Sequence, residues 1–103
     1  EVLSLAEEKF NRKYELKSKG YDLKAVEKKV ATIYQIKPAQ IYAKGSQKQR
    51  VEARSLFCYW AARELGITIT KLAERLELTP PAVGYAVRRG EIIAEKKHYH
   101  LID

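Results

Sequence analysis

The sequence predicts a small all-α domain. Apolar residues recur three and four positions apart along the chain, which is the spacing of one face of an α-helix. Runs that alternate apolar and polar residues are short and isolated, so no sheet is expected. Three prolines and five glycines punctuate the helical pattern. The 103 residues are enough to build one hydrophobic core.

Composition excludes several classes of protein. Apolar residues make up 46% and charged residues 32%, a mixture typical of folded globular proteins. No run approaches the ~18 apolar residues of a membrane-spanning helix, and no secretory signal is visible. Cys58 is the one cysteine, so no internal disulfide forms, and we predict a buried packing residue in a cytoplasmic protein. The first residue is Glu1 rather than Met, which suggests a fragment of a longer protein.

Residues 1–20 are predicted to form a charged lead-in helix that links this domain to a preceding one. Its apolar stripe is thin, and its other faces are dense in Lys, Arg and Glu. Gly20 stops this helix, and residues 21–103 are then the second domain. The residues of the stripe are Leu3, Ala6, Phe10 and Tyr14.

Three helices are predicted in the first part of the second domain. Asp22 caps a helix that ends near Gln35. Pro38 opens a short helix that ends at Tyr42, because proline suits a first helical turn. A long helix covers residues 49–65 and is expected to be the most buried one.

Positive charge is concentrated in one part of the chain. The whole sequence has 20 Lys and Arg against 13 Asp and Glu, a net charge of +7. Residues 36–55, here called the basic segment, contain five of the basic residues and only Glu52 as an acidic one, or +4. A local cluster is better evidence for a polyanionic partner than a basic average, although a solvated surface also explains charge alone.

Residues 68–90 predict two short helices joined by a tight turn. Thr68 or Thr70 caps the first helix, which covers residues 71–76. Thr79 caps the second, which opens on a proline. Two such helices with the second one displayed describe a helix-turn-helix, and an ordinary helical hairpin is the plainer alternative.

Gly90 is expected to close the second of these helices. A separate last helix is then predicted over residues 91–97, with Ile92 and Ile93 packing back onto the core.

The spacing of small and branched residues in this stretch resembles the bacterial helix-turn-helix family. Ala73 lies where the two helices cross closely, and Val83, ten residues later, packs from the second helix onto the first. Glu77 departs from the family at the turn position that is usually Gly, so it must tolerate a positive φ or adopt a slightly different turn. The remaining inward positions are Leu72, Leu76, Leu78 and Ala86.

A helix-turn-helix reads DNA with the first turn and the outward face of its second helix. Gly84 lets the backbone approach closely, and the prolines offer apolar contact to a thymine methyl. Arg89 points sideways to a phosphate. Stabilisation of the helix C-terminus is the alternative role of Arg88 and Arg89. The outward positions are Thr79, Pro80, Pro81, Gly84, Tyr85 and Arg88.

At a larger scale, residues 24–90 resemble the DNA-binding domain of the bacterial replication initiator DnaA. The shared order is a helix, the segment Ile36-Lys37-Pro38-Ala39-Gln40-Ile41, a basic loop at residues 44–48, a long helix ending Ala62-Arg63-Glu64-Leu65, and the helix-turn-helix. The initiator opens its second helix with Asp-His-Thr, whereas Thr79-Pro80-Pro81 stands here, so its target sequence is not carried over. The resemblance implies backbone and minor-groove contacts from Lys44, Ser46, Lys48, Arg50, Arg54, Thr68 and Lys71.

Residues 82–91 are similar to a domain appended to some bacterial single-tyrosine transposases, including the REP-associated type. This resemblance implies target recognition for a transposase whose catalytic domain lies upstream, with oligomerisation through that parent protein. A fragment of a transcriptional regulator and a helical protein-interaction module are the alternatives.

Catalytic chemistry is not expected in this chain. His98 and His100 flank Tyr99, but two histidines without nearby carboxylates seldom bind a metal. No phosphate-binding loop and no hydrolase motif is present. We therefore expect DNA as the partner, with no cofactor, no metal, no small-molecule substrate and no membrane.

Overall fold

The computed structural model describes residues 22–43, 45 and 47–101, and this part of the chain is all-α, as predicted. No strand occurs in it, and none of its helices is long and apolar enough to span a bilayer. The predicted lead-in helix of residues 1–20 lies outside the described residues. In chain order, the elements are α1 (Leu23–Tyr34), a 3-10 helix (Pro38–Ile41), α2 (Lys48–Tyr59) with a π-helical extension (Trp60–Glu64), α3 (Ile69–Leu76) and α4 (Pro80–Lys97).

Helix α1 begins and ends where the sequence predicts. The Asp22 carboxylate accepts a hydrogen bond of 2.9 Å from the Ala25 N–H, which satisfies one unpaired donor of the first turn. Gln35 ends the helix in the left-handed region, with φ 54°, and its N–H donates to the carbonyls of Ala31 and Thr32. The chain then turns into the 3-10 helix, whose Ile41 is fully buried.

Helix α2 and its extension form the centre of the core. Leu56, Phe57, Trp60 and the predicted packing residue Cys58 are all buried, and burial raises the pKa of the Cys58 thiol to about 12. This confirms the prediction of a buried long helix. The last turn widens into a π-helix before Gly66 ends it with φ 72°.

The prediction that Gly90 ends a helix is wrong. Helix α4 runs without interruption from Pro80 to Lys97, so no separate last helix exists. At Gly90 this helix crosses α2, and a Cβ there would lie 2.1 Å from the Ser55 carbonyl oxygen and 2.7 Å from the Tyr59 Cβ. The glycine therefore permits a close contact between two helices rather than a change of direction.

The end of the chain folds back onto the core. His98 ends α4 with φ 55°, and the following Tyr99 N–H donates to the Ala94 carbonyl. The Tyr99 ring then meets the Tyr34 ring edge to face, with centroids 6.3 Å apart, and Leu101 is buried. Ile93 packs inward as predicted, whereas the prediction for Ile92 is wrong, because this side chain is 52% exposed.

A polar cluster of Glu27, Tyr42 and Arg75 joins α1, the end of the 3-10 helix and α3. The Tyr42 hydroxyl donates to the Glu27 carboxylate and accepts from Arg75 Nε at 2.8 Å. Arg75 Nη2 donates to the same carboxylate at 2.8 Å. The cluster therefore fixes α3 against the segment that leads into the basic loop.

Stability is expected to fall at alkaline pH. Burial, followed by the hydrogen bond to Glu27, raises the pKa of Tyr42 from 10.0 to about 12. The folded chain holds this proton between pH 10 and 12, where the unfolded chain releases it, so stability is present below pH 10 and is lost as the pH rises. Urea denaturation at several pH values should show this loss, and it should be smaller in Tyr42→Phe. An unchanged pH dependence in that variant would contradict the assignment.

Candidate nucleic-acid interface

The two helices α3 and α4 are joined by a turn of three residues, 77–79. Thr68, and not Thr70, caps α3, and its hydroxyl accepts from the Lys71 N–H at 3.1 Å. The helix begins at Ile69, two residues earlier than predicted. Of the two alternatives expected for Glu77, the structure has the positive φ, at 56°. This left-handed residue ends α3, and its N–H donates to the carbonyls of Ala73 and Glu74.

The turn is held by backbone hydrogen bonds and by a second threonine cap. The Leu78 N–H donates to the Ala73 carbonyl at 2.9 Å, which closes the end of α3. The Thr79 hydroxyl accepts from the Ala82 N–H at 3.3 Å, as predicted, and Pro80 is the first residue of α4. The first turn of α4 therefore has a defined start.

Packing of α3 against α4 follows the predicted pattern of small and branched residues. Val83 is fully buried, Ala73 is 5% exposed, and Leu78 is half-buried at the edge of the core. The other predicted inward residues, Leu72, Leu76 and Ala86, are also buried. Because this side of α4 faces α3 and α2, its opposite side is left to solvent.

The predicted outward residues of α4 form one exposed face. Tyr85 is 67% exposed. Gly84 is half-buried, and a Cβ built there would have nothing within 4 Å. The surface of α4 is therefore open at Gly84, in the middle of this face. Thr79, Pro80, Pro81 and Arg88 are exposed.

The predicted backbone contacts lie in two groups, and part of the set lies outside the described residues. Thr68 and Lys71 are exposed at the start of α3. Lys48 is exposed and Arg50 half-buried at the start of α2. The described residues do not include Lys44 and Ser46.

Two arginines that the sequence predicts as phosphate contacts also have partners in the chain. Arg54 donates to the Ile41 carbonyl at 3.2 Å and to the Ala43 carbonyl at 2.6 Å. Arg89 donates to the Ser55 hydroxyl at 3.2 Å. Each guanidinium therefore has a hydrogen-bond partner in the chain, and each keeps further N–H donors.

A pocket of about 280 Å³ lies between α2 and α4, at the edge of the exposed face of α4 where Tyr85 lines it. It brings Arg54 of the basic segment beside Tyr85 and Arg89 of α4. Sequence analysis missed Ser55, which contacts Arg89, because a small residue within a helix has no distinguishing pattern. The lining residues are Val51, Arg54, Ser55, Leu78, Ala82, Tyr85, Ala86 and Arg89.

Residues 22–43, 45 and 47–101 contain no cluster of potential metal ligands. No group of three or more His, Cys, Asp and Glu side chains lies close enough there to hold an ion. His98 and His100 are exposed.

Comparison with protein-family models, curated proteins and solved structures gave no match to this chain.

Proposed function

We propose that this chain is a double-stranded DNA-binding domain in which α3 and α4 act as a helix-turn-helix. The start of α4 enters a major groove, and the basic segment contacts the neighbouring backbone and minor groove. The observation that carries the proposal is the shared pocket, because Arg54 of the basic segment and Tyr85 of the exposed face of α4 line it together. A duplex can therefore touch both elements at once.

Electrostatics support the assignment of the basic segment to phosphates. Glu52 is its one acidic residue, and its carboxylate lies 3.6 Å from Lys97 Nζ of α4. This ion pair compensates the acidic charge from outside the segment. The lysines and arginines around it then present a net positive surface to a polyanion.

Sequence preference would come from the first turns of α4. The prolines at 80 and 81 have no N–H, so they offer apolar surface, which suits a thymine methyl. Tyr85 and Arg88 lie further along the same exposed face and reach base edges or phosphates. This division assigns affinity to the basic segment and selectivity to α4.

A protein-interaction module fits the surface less well. Among the described residues, the large hydrophobic side chains that are exposed are Tyr85 and Ile92. They are seven positions apart on α4 and form no extended apolar patch of the kind that marks protein interfaces. We therefore place DNA ahead of a protein partner.

The biological setting follows from the resemblance to transposase-appended domains. In this proposal the chain recognises target DNA for a cytoplasmic transposase, whose catalytic domain would also supply any oligomerisation. A transcriptional regulator with the same DNA-binding domain is the alternative. The proposal assigns no catalytic step, no cofactor and no small-molecule substrate to this chain.

The division of labour can be tested with two variants and two duplexes. One duplex is selected by the wild-type chain from a random pool, and the other has a scrambled sequence. Arg50→Gln is expected to weaken binding to both alike, because it removes a phosphate contact. Tyr85→Ala should cost about 1–3 kcal/mol on the selected duplex and much less on the scrambled one.

Fluorescence anisotropy at fixed salt measures all four affinities. Arg63→Gln serves as a matched control, because Arg63 lies in the π-helical extension of α2, outside the basic segment, and pairs with Glu91 at 3.5 Å. Equal losses for both variants on both duplexes would contradict the proposed roles. Failure of the wild-type chain to retain any duplex would contradict DNA binding itself.

A further inference from the structure

The pocket between α2 and α4 combines two cationic groups with an apolar floor. Arg54 and Arg89 line it, and none of the described residues that line it is a carboxylate. Two arginines that line one pocket add positive charge to its wall, which favours an anion as the occupant. The floor is formed by Val51, Leu78, Ala82 and Ala86.

Both guanidinium groups are held in place before any ligand arrives. Arg54 is tied to the carbonyls of Ile41 and Ala43, at 3.2 and 2.6 Å. This anchors it to the chain immediately before the basic loop. An arginine that is already ordered loses less conformational entropy when it binds an anion.

Ser55 holds the second arginine. Its side chain is 1% exposed, and it is the one polar residue in the buried core of the described chain. The Ser55 hydroxyl donates to the Val51 carbonyl at 2.8 Å and accepts from Arg89 Nη1 at 3.2 Å. The Ser55 O–H is therefore used in a hydrogen bond within α2, and the hydroxyl oxygen orients the Arg89 guanidinium.

We propose that this pocket holds one sugar–phosphate unit of a DNA strand, with the phosphate shared by Arg54 and Arg89 and with Ser55 as a positioning residue. The inference rests on the proposed DNA-binding function and adds a specific subsite to it. The volume, about 280 Å³, is just below the range of ~300–1,000 Å³ that is typical of whole small-molecule ligands. It suits one small unit, with the apolar floor against the deoxyribose.

Sharing of one phosphate can be distinguished from two separate contacts by the salt dependence of binding. Each neutralised phosphate contributes about 0.9 to the slope of log K against log salt. If Arg54 and Arg89 share one phosphate, Arg89→Gln or Arg54→Gln alone leaves one guanidinium to neutralise it and should change the slope little, whereas the double variant should reduce the slope by about 0.9. A reduction of about 0.9 in each single variant and of about 1.8 in the double variant would overturn the shared subsite.

A duplex with a neutral methylphosphonate linkage locates the subsite and tests Ser55. Phosphodiester linkages are replaced one at a time. The linkage whose replacement lowers the affinity of the wild-type chain about tenfold or more is assigned to the subsite. Arg89→Gln and Ser55→Ala should weaken binding to the natural duplex, by about tenfold and several-fold, and should cause no further loss on that neutral duplex. A merely structural role of Ser55 would lower both affinities alike and would overturn its assignment.

The test does not depend on the folding of every variant. Arg54→Gln removes support from the carbonyls before the basic loop, so Arg89→Gln, Arg89→Lys and Ser55→Ala decide the test if it does not fold. Arg89→Lys keeps the charge and should keep the wild-type slope.

Thermal melting in inorganic phosphate, against chloride at equal ionic strength, should show no stabilisation specific to the wild-type chain. Such stabilisation, absent from Arg89→Gln, would assign the pocket to free phosphate instead. If the wild-type chain binds no duplex, the proposed function fails; if it binds and the variants act independently, only this inference fails.

Discussion

Replacement of Gly90 by alanine is expected to lower the free energy of unfolding by about 3 kcal/mol or more. The added Cβ would lie 2.1 Å from the Ser55 carbonyl oxygen, and 2.7 Å from the Ser55 carbonyl carbon and the Tyr59 Cβ. The first two are backbone atoms, so α2 and α4 must move apart to admit the methyl group. This separation would loosen the centre of the core, which α2 occupies.

Helix propensity acts in the opposite direction and is too small to compensate. Alanine in a helix interior is favoured over glycine by only ~0.8–1.0 kcal/mol. Urea denaturation of both proteins measures the difference directly. A Gly90→Ala variant as stable as the wild-type chain would contradict the close crossing of the two helices.

Replacement of Gly84 by alanine in the same helix is expected to have the opposite effect on stability and a large effect on DNA binding. Nothing lies within 4 Å of the position that its Cβ would occupy, so the variant should gain up to ~1 kcal/mol from helix propensity. The glycine therefore has no role in packing within the described chain. Its proposed role is to let the backbone of α4 approach a duplex.

The affinity of Gly84→Ala for a selected duplex should fall about 5- to 100-fold, because a methyl group would enter a close contact at a cost of about 1–3 kcal/mol. Urea denaturation and fluorescence anisotropy on the same preparation test both halves of this expectation. A more stable variant that binds DNA as well as the wild-type chain would mean that this face of α4 does not approach a duplex closely.

The ends of most helices could be predicted because they depend on neighbouring residues. Asp22, Thr68 and Thr79 each accept a hydrogen bond from an N–H three residues later, so the necessary pattern is local. The error at Gly90 has the converse cause. A glycine marks a helix end or a close crossing equally well, and Ser55, which decides between them, lies 35 positions earlier.

In the candidate site, too, features that depend on local sequence could be predicted, whereas features that depend on tertiary packing could not. Helical periodicity was enough to predict that Pro81, Tyr85 and Arg88 are exposed. The restraint of Arg54 and Arg89 could not be predicted, because carbonyls of the 3-10 helix region and the hydroxyl of Ser55 are brought to them only by tertiary packing. Charge counting alone treats both arginines as free surface cations.

The salt dependence of duplex binding by the wild-type chain tests the central proposal most directly. With about five phosphate contacts from the basic segment, α3 and α4, log K should fall against log salt with a slope of about −4 to −5 between 50 and 200 mM salt. A slope near zero, or no binding at low salt, would contradict a DNA-binding surface built from these residues.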